Sequence, residues 1–166
     1  RTVGARVAAA RIADFAELTA MLSVEQQGNL DRALARRLGM MSQVGEVFWI
    51  ETGVFAWIMP EDFAGDDMEL LEEAFATARA LFNTPVEVES ERLRINLHFG
   101  TAIDSIERAL DASELARKRS LNWSANAEAL LEETQYRQRL LGELDEALTD
   151  GSIFVVFQPK LAMASA

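Results

Sequence analysis

The chain has no cysteine, a single histidine, few prolines and no long apolar run, and each scarcity excludes something. Without cysteine there are no disulfides and no thiolate-held metals, which fits a reducing compartment. The one histidine, His98, has no partners at ligand spacing, so it reads as structural rather than as a metal ligand or proton shuttle. No apolar stretch approaches the ~20 residues that a membrane-spanning helix requires. Residues 1–10 also lack the apolar core and cleavage site of a signal peptide. The expectation is a soluble, cytoplasmic segment without direct membrane contact, with an anchor further upstream left open. Positive charge is scarce too: 16 Lys and Arg stand against 27 Asp and Glu, a formal charge of -11. A nucleic-acid binder needs a basic face to displace counterions, so that class is excluded, and a nucleotide triphosphate is weakly repelled. The 166 residues suffice for one domain with a core and not for two complete ones.

What is present is ordered periodicity. Val3 to Ile12, rich in Val, Ala and Ile, suits a strand or a helix equally. Ala16–Leu22 and Val24–Leu38 have helical spacing. Leu30, Leu34 and Leu38 form the apolar stripe of the second, Asp31, Arg32, Arg36 and Arg37 are expected to face elsewhere, and Gly39 ends it. Residues 44–59 read as a hairpin. Val47–Ile50 and Val54–Met59 are its strands, Glu51-Thr52-Gly53 its turn, and Pro60 stops it. Asp66 or Asp67 caps a helix over Met68–Leu81. Val86–Val88 is a short strand, and Leu93 to Phe99 alternates as a half-buried strand ending at Gly100. Asp104 or Ser105 opens a helix to about Leu121. From Ser124, Leu130, Thr134, Arg137, Leu141, Leu144 and Leu148 recur at heptad-like spacing along a polar helix that Gly151 ends. That helix is either packed on its own domain or the seam of a homodimer. Ile153–Phe157 is a further strand. The order of elements gives an α/β class, an α+β sandwich of helices on a mixed sheet.

Several pieces resemble a GGDEF domain, the ferredoxin-related, nucleotidyl-cyclase-like fold that condenses two GTP into cyclic di-GMP. Ile12-x-x-Phe15 resembles the end of that family's first strand, and Leu34-Ala35-x-x-Leu38 the helix after it. Phe55 through Pro60 resembles the strand after the signature, and Leu97-His98-Phe99-Gly100-x-Ala102 a later strand. Leu144-Asp145-Glu146-Ala147-Leu148, followed by Gly151 and Phe157-Gln158-Pro159-Lys160, resembles the start of an EAL domain, the cyclic di-GMP phosphodiesterase that follows GGDEF domains in tandem proteins. The resemblance divides the chain into a GGDEF-like domain at 1–123, a connector helix at 124–150 and a truncated EAL strand at 151–166.

The resemblance also implies lost chemistry. The family's first-strand acids that hold Mg²⁺ fall on Arg11 and Ala13, and Mg²⁺ demands oxygen donors. The signature hairpin falls on Glu51, Thr52, Gly53, Val54 and Phe55. Side chains replace its two glycines, Gly53 and Val54 replace its two acids, and only Phe55 is kept. The guanine-reading positions fall on Thr19 and Gly28, and the inhibitory Arg-x-x-Asp on Ser42-Gln43-Val44-Gly45. Trp49 stands where the family often has an Arg near the nucleotide. Lys118 falls where the family often has a phosphate-facing lysine, although a solvated lysine in Arg117-Lys118-Arg119 is the preferred reading. Among other aromatics and acids, Trp57 reads as sheet packing, Met40, Met41 and Met59 as core filler, and Glu61-Asp62 and Asp66-Asp67 as capping or solvated acids rather than a calcium loop.

These losses lead to an expectation of no catalytic residues, no metal and no retained Mg²⁺ or GTP binding. The chain is expected to be a non-catalytic regulatory or dimerising module acting on its own downstream EAL domain. A GTP sensor tuning that EAL domain is the alternative.

Overall fold

The computed structural model describes residues 4–41, 46–65, 67–125 and 128–152, with side chains of the last helix described from residue 135 on. In order, the elements are β1 Arg6–Ile12, α1 Phe15–Ala20, α2 Val24–Gly39, β2 Val47–Glu51, β3 Val54–Ile58, a 3-10 turn at Glu61–Phe63, and α3 Met68–Ala80. There follow β4 Val86–Val88, β5 Glu91–Leu93, β6 Leu97–Ile103, α4 Ile106–Lys118, β7 Trp123–Ser124 and α5 Glu128–Thr149. The chain divides into two compact units, Arg1–Leu130 and Leu131–Ala166. The first holds a five-stranded sheet in the order β2-β3-β1-β6-β7, with β4 and β5 as a separate ladder. β1 runs antiparallel to β3 and β6, and β7 is parallel to β6. This is the α/β sandwich expected from the order of elements.

β1 is a strand because of where it lies. Ala8, Ala9 and Ala10 favour a helix in isolation, yet both faces of this central strand are buried. Ala8, Ala10 and Ile12 join Leu30, Leu34 and Leu38 of α2 and Phe75 of α3 in the main core. Val7 and Ala9 join Ala102 and Ala109 in a smaller cluster beneath α4. Trp57 meets Phe99 edge-on and Phe75 stacks on Phe99 within the main core.

The structure corrects the sequence in several places. The alternation expected from Leu93 to Phe99 belongs to two strands. β5 ends at Leu93, and β6 starts at Leu97 and runs through Gly100 to Ile103. Leu93, Ile95 and Leu97 are all buried, so the alternation survives while the strand changes partners; Asn96 O accepts from Ala13 N at 2.9 Å as the chain enters the main sheet. Gly100 is therefore no terminator. α4 stops at Lys118 rather than near Leu121, because Ser120 takes a left-handed φ of 54° and Leu121 N–H closes back on Ala116 O at 2.8 Å. Met40 is exposed, whereas Met59 is buried.

The caps have clear chemistry. Ser23 and Gln26 form a capping box on α2. Asp67 Oδ1 accepts from Glu69 N and Leu70 N on α3, both at 3.1 Å, and Ser105 accepts from Arg108 N on α4. Within the second unit, the described part of α5 leaves Tyr136, Leu140, Leu141, Leu144 and Leu148 exposed. The side chains of Leu130 and Thr134, and the expected strand at Ile153–Phe157, lie outside the described residues. Among those residues no helix is long and apolar enough to cross a membrane.

Candidate functional site

The hairpin turn is held from three sides. Gly53 takes φ 76°, a conformation that needs glycine. A Cβ there would fall 2.6 Å from the Phe15 ring, so the turn sits directly on that side chain. Gly53 O accepts from Ile12 N at 3.0 Å, which ties the turn to the end of β1. Gly53 N donates to Asp31 Oδ1 at 3.0 Å, and Trp49 Nε1 donates to Asp31 Oδ2 at 3.2 Å.

Asp31 is a correction. It was expected to face away from the Leu30, Leu34, Leu38 stripe, and instead it is buried. The signal was available: at about 100° per residue, position 31 lies roughly 20° round the helix from position 38. Burial pushes its carboxyl above the ordinary range, while the bonds from Gly53 and Trp49 pull the other way. Asp31→Asn keeps one acceptor oxygen where two donors compete, so a loss of about 1 kcal/mol is expected at neutral pH. Because the folded carboxyl binds its proton more tightly than the unfolded one, the wild-type contribution is fullest below the unfolded pKa and fades as pH rises through the raised value. The variant cannot ionise, so its deficit should grow toward acid pH. Denaturant midpoints across that range test this, and a deficit that shrinks on acidification would refute the assignment.

Beside the turn opens a cleft of roughly 730 Å³, bounded by the end of β1, the start of α1, the hairpin turn and the flank of α4. It brings Arg11 and Ala13 together with a segment distant in sequence, Glu51, Thr52, Gly53 and Val54. Phe55 is wholly buried in the core instead. Thr19 and Gly28 do not line the cleft. The Thr19 hydroxyl donates to Ala16 O at 3.1 Å, and Gly28 O accepts from Arg32 Nε at 3.2 Å. Lys118 is exposed and does not line it either; its neighbour Arg117 does. Ser42–Gly45 lies outside the described residues.

Arg11 is the centre of the cleft's electrostatics. Its Nη1 lies 3.5 Å from Glu51 Oε1, and its Nε lies 3.4 Å from Glu114 Oε2. The second contact is Coulombic only, since the buried Nε–H has no acceptor in line. Glu114 also receives a bidentate pair from Arg117, at 2.9 and 2.6 Å. That hydrogen bonding holds the Glu114 carboxyl below its usual range despite partial burial, and raises Arg117 in turn. Two cations, Arg11 and Arg117, thus face four carboxylates lining the cleft, Asp14, Glu17, Glu51 and Glu114. His98 is the cross-strand neighbour of Arg11, with Nδ1 2.5 Å from Leu121 O. Glu114 and Arg117 were missed as site residues. Their i, i+3 spacing marks a helical ion pair, but nothing local says that this flank of α4 faces the hairpin.

No protein-family model matches the sequence, and neither does any curated protein. Solved structures do share the fold. A GGDEF domain from Pseudomonas aeruginosa matches with a TM-score of 0.60 at 18% identity, covering 73% of this chain and 82% of that one. An EAL/GGDEF domain protein from M. capsulatus matches with a TM-score of 0.56 at 15% identity, covering 70% and 77%. The S helix-GGDEF-EAL structure of Vibrio cholerae LapD, bound to c-di-GMP, gives 0.53 at 18% identity over 83% of this chain and 37% of that one. At these identities the likeness establishes the fold: a mixed α/β domain of the kind seen in GGDEF domains.

Proposed function

We propose that the chain is a GGDEF-fold module of a cyclic di-GMP signalling protein that has given up nucleotide cyclisation and serves as a regulatory or dimerising unit for an adjoining EAL domain. One observation carries this reading: a guanidinium, that of Arg11, stands at the end of β1 between Glu51 and Glu114. Phosphoryl transfer needs cations that bridge and neutralise the triphosphate. Mg²⁺ needs oxygen ligands, and Arg11 offers none. It also engages two of the four carboxylates lining the cleft, Glu51 and Glu114, and among the described residues no three such side chains are grouped to hold a metal ion, so the residues present do not fit Mg²⁺. The bidentate Glu114 pair ties up Arg117, the other cation of the cleft, and the carboxylate excess repels phosphate. Structures from proteins carrying both domains support the EAL partner, as does the EAL-like run at residues 144–160, of which 153–160 lie outside the described residues.

Purified protein incubated with GTP and Mg²⁺ is expected to form no cyclic di-GMP, and product formation would overturn the reading. The open cleft favours one rival, a GTP sensor acting on the EAL domain. Calorimetric titration separates the two: saturable binding in the micromolar range would establish the sensor, and no heat of binding supports the nucleotide-free module.

A further inference from the structure

The chain that leaves α4 and leads towards α5 crosses the edge of the sheet as β7, two residues paired in parallel with Phe99 and Gly100. β1, by contrast, pairs with β6 over seven residues and with β3 over five. From Lys118 to Ala125 no residue is buried, and Trp123 and Ser124 are half-buried. Two side chains of α3 reach across to this stretch. The Glu72 carboxylate accepts from Trp123 Nε1, and Arg79 Nη1 donates to Asn122 Oδ1, both in exposed settings. The Trp123 ring lies against Phe75, with centroids 5.3 Å apart, and Phe75 stacks on Phe99 at 5.2 Å. Trp123 is thus the outermost ring of a series that reaches the core. A recess of roughly 300 Å³ remains beside it, walled by Glu72, Phe75, Arg79, Asn122 and Trp123, so β7 is not sealed against α3. Just upstream the chain is fixed: Leu121 N–H closes on Ala116 O at 2.8 Å, and Leu121 O meets His98 Nδ1.

We infer that Asn122–Ser124 is a releasable strap, hinged after Leu121, which opens from β6 and α3 as a unit while the rest of the sheet stays folded. Exposed hydrogen bonds are individually weak because water replaces them, and one half-buried ring cannot match a strand such as β1 with both faces in the core. Elements held in this way open locally, below the free energy of global unfolding. Release uncovers Phe75 and the Phe99 N–H and frees the chain that leads to α5. The strap is then the moving part of the regulatory module proposed above, and its role rests on that reading. An adjoining domain that holds the released segment shifts the strap open by its differential affinity for the two states.

Native-state hydrogen exchange of the whole chain tests this at one amide. Phe99 N–H is bonded to Asn122 O at 2.9 Å, so it exchanges when the strap opens. It should exchange roughly 100-fold faster than the amides of β1, and with little dependence on sub-denaturing guanidinium, because a small opening exposes little surface. Glu72→Ala and Arg79→Ala combined keep good helix formers in α3 and should speed that exchange roughly tenfold, with the denaturant dependence still flat. A Phe99 amide that shares the opening free energy and denaturant slope of β1 would show that β7 opens only with the whole sheet. An unchanged Phe99 rate in E72A/R79A would show that α3 does not hold the strap. Either result overturns the proposal, and neither bears on cyclase activity. Conversely, formation of cyclic di-GMP would remove the functional reading and leave the strap standing.

Discussion

Gly100→Ala is expected to destabilise the first unit by about 3 kcal/mol or more, a large share of the ~5–15 kcal/mol that keeps a typical domain folded. β6 and α4 approach each other at Gly100 so closely that no side chain fits. A Cβ there would lie 2.1 Å from Ser113 N, 2.2 Å from Ala109 O and 2.7 Å from Ala112 C. All three are helix backbone atoms, which cannot swing aside as a side chain tip could. α4 would have to lift from the sheet, and the small residues that let it sit so low, Ala109, Ala112, Ser113 and Ala116, would then leave voids beneath it. The damage should reach the cleft, because the same helix presents Glu114 and Arg117. Gly142 provides the internal control: a Cβ there meets nothing within 4 Å, so Gly142→Ala should cost nothing and gain about 0.5–1 kcal/mol of helix propensity. Chemical denaturation of both variants tests the pair. A Gly100→Ala midpoint equal to that of wild type would show that α4 does not lie where the structure puts it.

Arg6→Met is expected to cost about 2–4 kcal/mol, an effect that a sequence reader would not anticipate at the start of an apolar strand. The Arg6 side chain is only 3% exposed. Its Nε donates to Phe63 O and its Nη2 to Gly65 O, both at 2.7 Å, so one guanidinium gathers the carbonyls of the 3-10 turn and the residues after it. Methionine fills much of the volume but leaves the buried Phe63 carbonyl without its donor and releases the Gly65 carbonyl to water. Lysine keeps the charge but not the fork, so Arg6→Lys should recover only part of the loss. Thermal unfolding compared across wild type, Arg6→Lys and Arg6→Met should give that order. A methionine variant as stable as wild type would mean that the turn is held by its apolar contacts, chiefly buried Phe63.

How legible each feature was depended on the range over which its cause acts. The hairpin could be read because its causes lie within a dozen residues: two β-rich runs, a glycine free to take positive φ, and a proline that stops the second strand. The helix starts could be read for the same reason, since Ser105 and Asp67 act on amides two or three residues ahead. The split of the Leu93–Phe99 run could not, because alternation reports which face is buried and not which strand lies alongside. Asp31 was misplaced although its angle round α2 was computable. A carboxylate beside a leucine stripe reads as solvated until Gly53 and Trp49 arrive to bind it. In the cleft, it was plain in the sequence that Arg11, Ala13, Gly53 and Val54 carry no carboxylate. That Arg11 pairs with Glu51 and Glu114, and that Arg117 rather than Lys118 turns inward, was not.

By itself, then, the sequence determined the alternation of helix and strand, the turn at Gly53, and the lack of acidic side chains at Arg11, Ala13, Gly53 and Val54. All of these follow from residue chemistry acting through neighbouring backbone. Only the tertiary structure decided that an alanine-rich segment is the central strand, that Gly100 admits α4 at van der Waals contact, and that a guanidinium lies between two carboxylates brought in from β2 and α4. Burial on two faces overrides intrinsic propensity, and a charge finds its partners only after distant elements have packed.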